Sequence, residues 1–335
     1  MRLLITGGAG FIGSNLVLFL LSRRKDITVL NLDKLTYASD LSYLKPVEDN
    51  PAYRFAQVDL VDRKAVNDIV RDFRPDGVMH LAAESHVDNS IKGPEPFVMS
   101  NVVGTFNILE ECRQLWLTDP NGYADKRFLH VSTDEVYGSL GEEGSFTEKT
   151  PYAPNSPYSA TKAGSDFLVR SYYKTFKMNV VTTNCSNNFG PHQHDEKLIP
   201  TVIRKALAHE PIPVYGKGLN VRDWLYVTDH CNAILSVFDR GRDGETYIVG
   251  GHNEWKNIDL VQLLCDLLNQ EAGDGPDGDY KNLITFVTDR AGHDLRYAID
   301  PSKIQGEIGW EPEMRFDEQL RETVKWYIQR YSQRT

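Results

Sequence analysis

Apolar residues fall into two kinds of run along this chain. Short continuous ones read as buried strands: Arg2 to Ile5, Ile27 to Leu32, Tyr53 to Val58, Gly77 to Leu81, Phe128 to Val131 and Val180 to Thr183. Between them lie segments whose apolar positions recur at helical spacing. These are a helix beginning near Phe11, Lys64 to Phe73, Pro96 to Trp116 and Tyr158 to Phe176. Strand and helix alternating in this way predict an α/β fold built on a doubly wound parallel sheet. The pattern changes after Asn184. A polar loop from Asn184 to Glu196 leads to a helix over Lys197 to His209, a turn at Val214 to Gly218, and a last helix from about Phe316 to Tyr331. We therefore divide the chain into residues 1–184 and a smaller C-terminal α/β lobe, 185–335, with the chain free to cross back between them. Gly273 to Asp279 reads as a turn-rich surface excursion, and no internal repeat is visible.

Bulk properties narrow the picture only a little. The chain has 335 residues, enough for a substantial core and two lobes. A formal net charge of −10 argues against general nucleic-acid binding while leaving room for an anionic small ligand held by local cations. Cys112, Cys185, Cys231 and Cys265 are widely spaced and read as reduced core thiols. Met1 to Thr6 runs directly into a strand, and Leu16 to Leu21 is too short to span a bilayer. The expected setting is the cytoplasm.

Chemistry enters at the first turn. Gly8, Gly10 and Gly13 satisfy GxGxxG directly after strand one, and Gly7, Gly10 and Gly13 satisfy GxxGxxG. A dinucleotide needs such a turn so that backbone and a helix N-terminus reach its pyrophosphate; a purely structural glycine turn is the alternative. Asp33 ends the second strand, twenty residues after Gly13. An acid there accepts hydrogen bonds from an adenosine ribose and repels a 2′-phosphate, so this Rossmann-type site favours NAD over NADP. Asp59, after the third strand, is placed to cap the adenine. Ala82 and Ala83, after the fourth, either let backbone lie against a cofactor or simply pack closely.

The Phe128 strand ends in Ser132-Thr133-Asp134-Glu135-Val136-Tyr137-Gly138, and Tyr158 and Lys162 follow, four apart on one helical face. Alone, Asp134 and Glu135 read better as turn residues or a helix N-terminus. Together with a hydroxyl, a tyrosine and a lysine they make a catalytic inventory. His192 and His194, beside Asp195 and Glu196, invite a metal reading. Without a second ligand cluster they are assigned instead to a loop lining a sugar pocket, and no metal site is expected. Arg222, Arg290 and Arg296 are the candidate cations for a diphosphate, though each alone reads equally as a surface ion pair.

TGGAGFIG, STDEVYG and YSATK together resemble the extended short-chain dehydrogenase/reductases, and within them the dTDP-glucose 4,6-dehydratases. Further matches are Asp33 to Tyr37, Leu81 to Asp88, Asn184 to Asn188, Glu196 to Pro200, Arg222 to Trp224 and Gly292 to Asp294. Phe189 departs from the family's usual tyrosine, and Ala291 from its usual proline. The resemblance implies that NAD is held by Gly7, Gly10, Phe11, Ile12, Gly13, Asp33, Lys34, Leu35, Thr36, Asp59, Leu60, Leu81, Ala82, Ala83, Ser100, Tyr158, Lys162 and Asn188. It assigns a nucleotide sugar to Ser85, Thr133, Asn187, Lys197, Leu198, Pro213, Tyr215, Arg222, Asn257, Arg290 and His293.

By the same resemblance, Thr133, Asp134, Glu135, Tyr158 and Lys162 are catalytic. Tyr158, its pKa lowered by the Lys162 charge, takes the C4 hydroxyl proton while hydride leaves to NAD, and Thr133 steadies that hydroxyl. Glu135 removes the C5 proton, Asp134 protonates the departing C6 hydroxyl, hydride returns to C6 and a proton returns to C5. The expected reaction turns dTDP-glucose into dTDP-4-keto-6-deoxyglucose. A UDP-glucose 4,6-dehydratase, or an NAD-dependent epimerase or decarboxylase of nucleotide sugars, is the alternative, but the latter two leave Asp134 and Glu135 without a task. A non-catalytic dinucleotide-binding regulator is a third reading, with no use for Thr133, Tyr158 and Lys162 together. The two long helical segments imply a homodimer built on a four-helix contact.

Overall fold

The computed structural model describes residues 1–289, 293–313 and 315–332. Its strands are β1 (Arg2–Thr6), β2 (Thr28–Asp33), β3 (Tyr53–Gln57), β4 (Gly77–His80), β5 (Arg127–Thr133), β6 (Val180–Cys185), β7 (Asn187–Phe189), β8 (Ile212–Tyr215), β9 (Val221–Tyr226), β10 (Thr246–Val249), β11 (Glu254–Lys256) and β12 (Ile284–Val287). The helices are α1 (Phe11–Arg23), α2 (Arg63–Phe73), α3 (Val87–Lys92), α4 (Glu95–Phe97), α5 (Thr105–Leu117), α6 (Pro157–Phe176), α7 (Leu198–Leu207), α8 (Val227–Arg240), α9 (Asn257–Glu271), α10 (Ser302–Ile308) and α11 (Phe316–Ser332).

Seven strands form one parallel sheet in the order β10-β6-β5-β4-β1-β2-β3. Helices cover both faces, so β1, β2, β4, β5, β6 and β10 are buried along most of their length, while the edge strand β3 is only partly buried. On one face Leu16, Val17 and Leu20 of α1 pack with Ala233, Ile234 and Val237 of α8. On the other, Val66, Val70 and Phe73 of α2 meet Ile108, Cys112 and Trp116 of α5 and Val169 of α6. Strand order reverses between β1 and β4, so their carboxyl ends leave a crevice where such sheets bind ligands.

The second half departs from the simplest division at residue 184. It contributes β10, which pairs with β6 and extends the large sheet. The segment read as a polar loop contains a short strand, β7, which pairs with β9 in a three-stranded sheet of order β11-β9-β7. A second core lies here, from Ile199 and Ile203 of α7, Leu260 and Leu264 of α9, and Leu320 and Val324 of α11. Phe189 is fully buried in it, with ring centroids 5.4 Å from both Tyr226 and Phe316. A tyrosine at this position would have to find a partner for its hydroxyl.

Two helices matter for the site. Helix α6 starts on a reciprocal capping box between Ser156 and Ser159, with Pro157 in its first turn, and carries Tyr158 and Lys162. The amphipathic segment predicted over Pro96 to Trp116 is helical from α4 through α5, but Val98–Gly104 is wound as a π-helix. That widened turn brings Ser100 to the crevice, a common use of π segments.

Candidate active site

The glycine turn is shaped by contacts that a side chain would block. Gly7 has φ +73°, and a Cβ there would lie 2.8 Å from both the nitrogen and Cα of Ala82. On Gly13 a Cβ would fall on the Gly7 carbonyl oxygen. Helix α1 begins after Gly10 with no side-chain cap, leaving its first amides for an anion. At the end of β2 the buried Asp33 carboxylate accepts from the amides of Ala9 (3.0 Å) and Leu35 (2.8 Å) and from the Ser39 hydroxyl (2.9 Å). An acceptor so fixed, beside an open helix N-terminus, fits the ribose and pyrophosphate of a dinucleotide.

A single cleft runs from this turn to the end of β5. Seventeen of the eighteen residues expected to hold NAD line it, and Leu35, at φ +61°, does not. Lys34 reaches across with its ammonium 2.9 Å from the Ser100 hydroxyl and 3.0 Å from a Glu84 carboxylate oxygen. Asp59 lines the far end beside Val58 and Leu60, its carboxylate accepting from the Val61 amide at 3.0 Å.

Thr133, Asp134, Glu135, Tyr158 and Lys162 line the other end of the same cleft. Thr133 caps a single 3-10 turn, Asp134–Tyr137, by accepting from the Glu135 amide at 3.3 Å. Gly138 closes the turn at φ +90°, where a Cβ would press on the Ala153 carbonyl oxygen. Only 1% of Asp134 is exposed, and its Oδ1 accepts from the Thr133 hydroxyl at 3.3 Å. Burial pushes its carboxyl well above the usual range, the Glu135 and Asp223 charges add to the effect, and Arg222 opposes it. Burial therefore favours the neutral form of Asp134 more than that of an exposed carboxyl.

Burial also decides the state of the tyrosine. It pushes the Tyr158 phenol well above its ordinary value, the Glu135 charge next, with the Thr133 hydroxyl opposing. Any lowering by Lys162, as the resemblance implies, is outweighed by burial in the protein alone. The Lys162 ammonium is itself drawn down by burial, and it donates to the Val131 carbonyl oxygen at 2.8 Å.

Residues expected to bind the sugar nucleotide divide into two groups. Ser85, Thr133, Asn187 and Lys197 line the cleft, and the Lys197 ammonium donates to the Ser85 carbonyl oxygen at 3.1 Å. Leu198, Pro213, Tyr215, Arg222, Asn257 and His293 lie outside that lining. The Tyr215 and His293 rings meet edge to face, 6.3 Å apart, and the Asn257 amide donates to the Asn220 carbonyl oxygen at 2.9 Å. Arg222 is buried, stacked 4.2 Å over the Tyr297 ring and donating to the carbonyl oxygens of Val221 and Asp294. Arg296 pairs with Glu254. Arg290 and Ala291 lie outside the described residues. His192 stacks 4.1 Å from Tyr43 and bonds the Ser14 hydroxyl at 2.9 Å; among the described residues no metal-holding group of three His, Cys, Asp or Glu exists.

Cys185, Gln193 and Glu196, on the loop assigned to a sugar pocket, also line the cleft, and one group was overlooked. Beneath it, Asn184 joins the Thr133 carbonyl oxygen to the Asp166 carboxylate, each at 3.1 Å. Asp166 lies four residues after Lys162 on α6, and that spacing was a signal that could have found it.

Comparison with known proteins agrees with this geometry. The family model described as GDP-mannose 4,6 dehydratase matches residues 4–323. A dTDP-glucose 4,6-dehydratase from Xanthomonas campestris pv. campestris (strain B100) is 55% identical over 97% of this chain and 92% of the relative. One from Neisseria meningitidis serogroup B (strain ATCC BAA-335 / MC58) is 51% identical over 98% of this chain and 93% of the relative. The crystal structure of the Bacillus anthracis str. Ames dTDP-glucose 4,6-dehydratase in complex with NAD superposes with a TM-score of 0.88, at 42% identity over 99% of this chain and 98% of that one. A UDP-glucose 4-epimerase from Thermotoga maritima reaches a TM-score of 0.86 at 25% identity, over 99% of this chain and 100% of that one, so the backbone is common to several reactions. With more than half its residues shared with the Xanthomonas relative along nearly its whole length, the chain belongs to the dTDP-glucose 4,6-dehydratase family.

Proposed function

We propose that this chain catalyses the NAD-dependent dehydration of dTDP-glucose to dTDP-4-keto-6-deoxyglucose. The observation that carries the reading is the adjacent acid pair at the end of β5, in one cleft with Tyr158 and Lys162, where burial favours the neutral form of Asp134. An epimerase needs the tyrosine and lysine but has no water to expel.

When bound, NAD supplies the acceptor for the C4 hydride and the donor of the hydride returned to C6. The chain's own residues do the rest. Tyr158 takes the C4 hydroxyl proton, with Thr133 orienting that hydroxyl. Because burial holds the Tyr158 phenol up, its ionisation depends on positive charge close by, which the Lys162 ammonium and an oxidised nicotinamide ring both carry. The C4 ketone acidifies C5, Glu135 removes that proton, and Asp134 gives its own to the leaving C6 oxygen; Glu135 returns the proton to C5 as hydride arrives at C6. Two neighbouring carboxyls serve as base and acid when their environments separate their proton affinities. Residues 1–184 carry the cofactor site and catalytic groups in this reading, and 185–335 mainly the sugar nucleotide.

The same proposal includes a homodimer and a cytoplasmic setting. Val98 and Met99 on the π-wound segment, and Phe167 and Phe176 on α6, are exposed apolar side chains on the two helices expected to pair. Four buried free thiols suit a reducing compartment. Incubation with dTDP-glucose and UDP-glucose side by side, followed by alkali-induced absorbance of a 4-keto sugar, tests the activity. No signal from dTDP-glucose overturns it, and an equal or larger signal from UDP-glucose overturns the choice of base. Sedimentation as a monomer at micromolar concentration overturns the dimer.

A further inference from the structure

One buried carboxylate has no task in that mechanism. Asp166 is 4% exposed and lies one helical turn beyond Lys162 on α6. Its Oδ1 faces Nε2 of His130 at 3.1 Å. The other oxygen accepts from the Tyr152 hydroxyl at 2.8 Å and from Asn184 Nδ2 at 3.1 Å. Asn184 spends the same amide on the carbonyl oxygen of Thr133, at 3.1 Å. None of Asp166, His130, Tyr152 and Asn184 lines the cleft.

A carboxylate buried to this degree needs donors and an opposing charge. The donors are the three just named. The charge is the Lys162 ammonium, on the same face of α6. We propose that Asp166 is a positioning residue for C4 oxidation: through Asn184 it holds the Thr133 end of β5 against α6, and its charge keeps the buried Lys162 cationic. This rests on the roles given above to Tyr158 and Lys162. Burial draws Lys162 toward neutrality, and Asp166 is the first group opposing it, followed by the Cys185 thiol on β6. The other groups facing Lys162 are the imidazoles of His80 on β4 and His130 on β5, both kept toward the neutral form by burial. Facing Asp166 are His130, Tyr152, Lys162 and the Tyr137 phenol.

Asp166→Asn keeps the shape and removes the charge. Lys162 should then lose its proton at lower pH, moving the alkaline limb of kcat for C4 oxidation down by about one pH unit or more. At neutral pH kcat should fall about ten-fold or more, with KM for dTDP-glucose within about two-fold of wild type. Tyr152→Phe keeps the charge but deletes one donor to Asp166, so that variant should keep the wild-type alkaline limb. Wild-type protein inactive on dTDP-glucose removes the proposed function, not this inference. With active wild type, an Asp166→Asn profile and kcat matching wild type overturn it, as does a lowered melting temperature with unchanged kcat per folded protein. Should Asp166→Asn not fold, Asn184→Ala cuts the tie to Thr133, and an unchanged kcat for C4 oxidation in that variant overturns it.

Discussion

Lys162 and Val131 are joined by a 2.8 Å hydrogen bond from the ammonium to the carbonyl oxygen, two residues before Thr133. Helix α6 and strand β5 are thereby fastened together at the point where the tyrosine, the threonine and the acid pair converge. The ammonium reaches the tyrosine's surroundings as part of the sheet's own end, rather than as a free side chain.

Tyr158→Phe should leave substrate binding nearly intact and slow C4 oxidation by about 10²- to 10⁴-fold, since it removes the base and preserves the ring. Single-turnover absorbance of the reduced cofactor measures that step. Turnover close to wild type would exclude Tyr158 as the base.

The two acids should separate by substrate. Glu135→Gln is expected to oxidise C4 but not exchange the C5 hydrogen with heavy water. Asp134→Asn should oxidise C4 and stall at C6, because hydroxide leaves poorly without a proton. A 6-fluoro substrate needs little such help, so it should rescue Asp134→Asn far more than Glu135→Gln. Each change should cost about 10²- to 10⁴-fold on the natural substrate. Equal rescue of the two variants, or wild-type C5 exchange in Glu135→Gln, ends this assignment.

NAD should remain bound through purification, and NADP should bind poorly. Asp33 sets the preference: its carboxylate, already pinned by three donors, cannot swing away from a 2′-phosphate. Chromatography of nucleotide released on denaturation reads the outcome, and mainly NADP would contradict it.

Stability should fall as pH drops below neutral, in part through His192. Burial lowers its imidazole from 6.5 to about 4, with Arg330 adding to the shift and Asp40 opposing it. The unfolded chain takes up a proton that the folded protein refuses, so this contribution is complete above pH 6.5 and is lost on the way to about 4. Its full size is roughly 2–3 kcal/mol. His192→Phe keeps a ring against Tyr43 and cannot protonate, so its melting temperature should depend less steeply on pH across that window. A slope equal to wild type would place the effect elsewhere, with His80, His130 and His230 the remaining buried imidazoles.

What could be read from the sequence was whatever depends on near neighbours. The glycine turn, Asp33, the Thr133 to Glu135 run and the Tyr158–Lys162 pair each sit within one strand, turn or helix, so spacing alone places them together. The Asp166–Asn184–Tyr152 network joins α6, β6 and the loop before α6, and no local pattern announces such a meeting. The widened turn at Val98–Gly104 was equally hidden, because apolar periodicity does not separate π from α winding over so few residues. Tyr158 shows a further limit. Proximity of a lysine in sequence suggests a lowered phenol pKa, but the depth of burial that reverses the direction is a property of the assembled core.

The seventh strand of the large sheet comes from residues 246–249. While the chain leaves the ribosome, β6 consequently waits as an exposed edge until some sixty further residues have been made, β7, β8 and β9 among them. An unpaired strand edge is a template for pairing with other chains. A fragment ending near residue 184 should therefore aggregate although it holds the glycine turn and every catalytic side chain, and a chaperone that shields nascent β6 should raise the yield of folded protein.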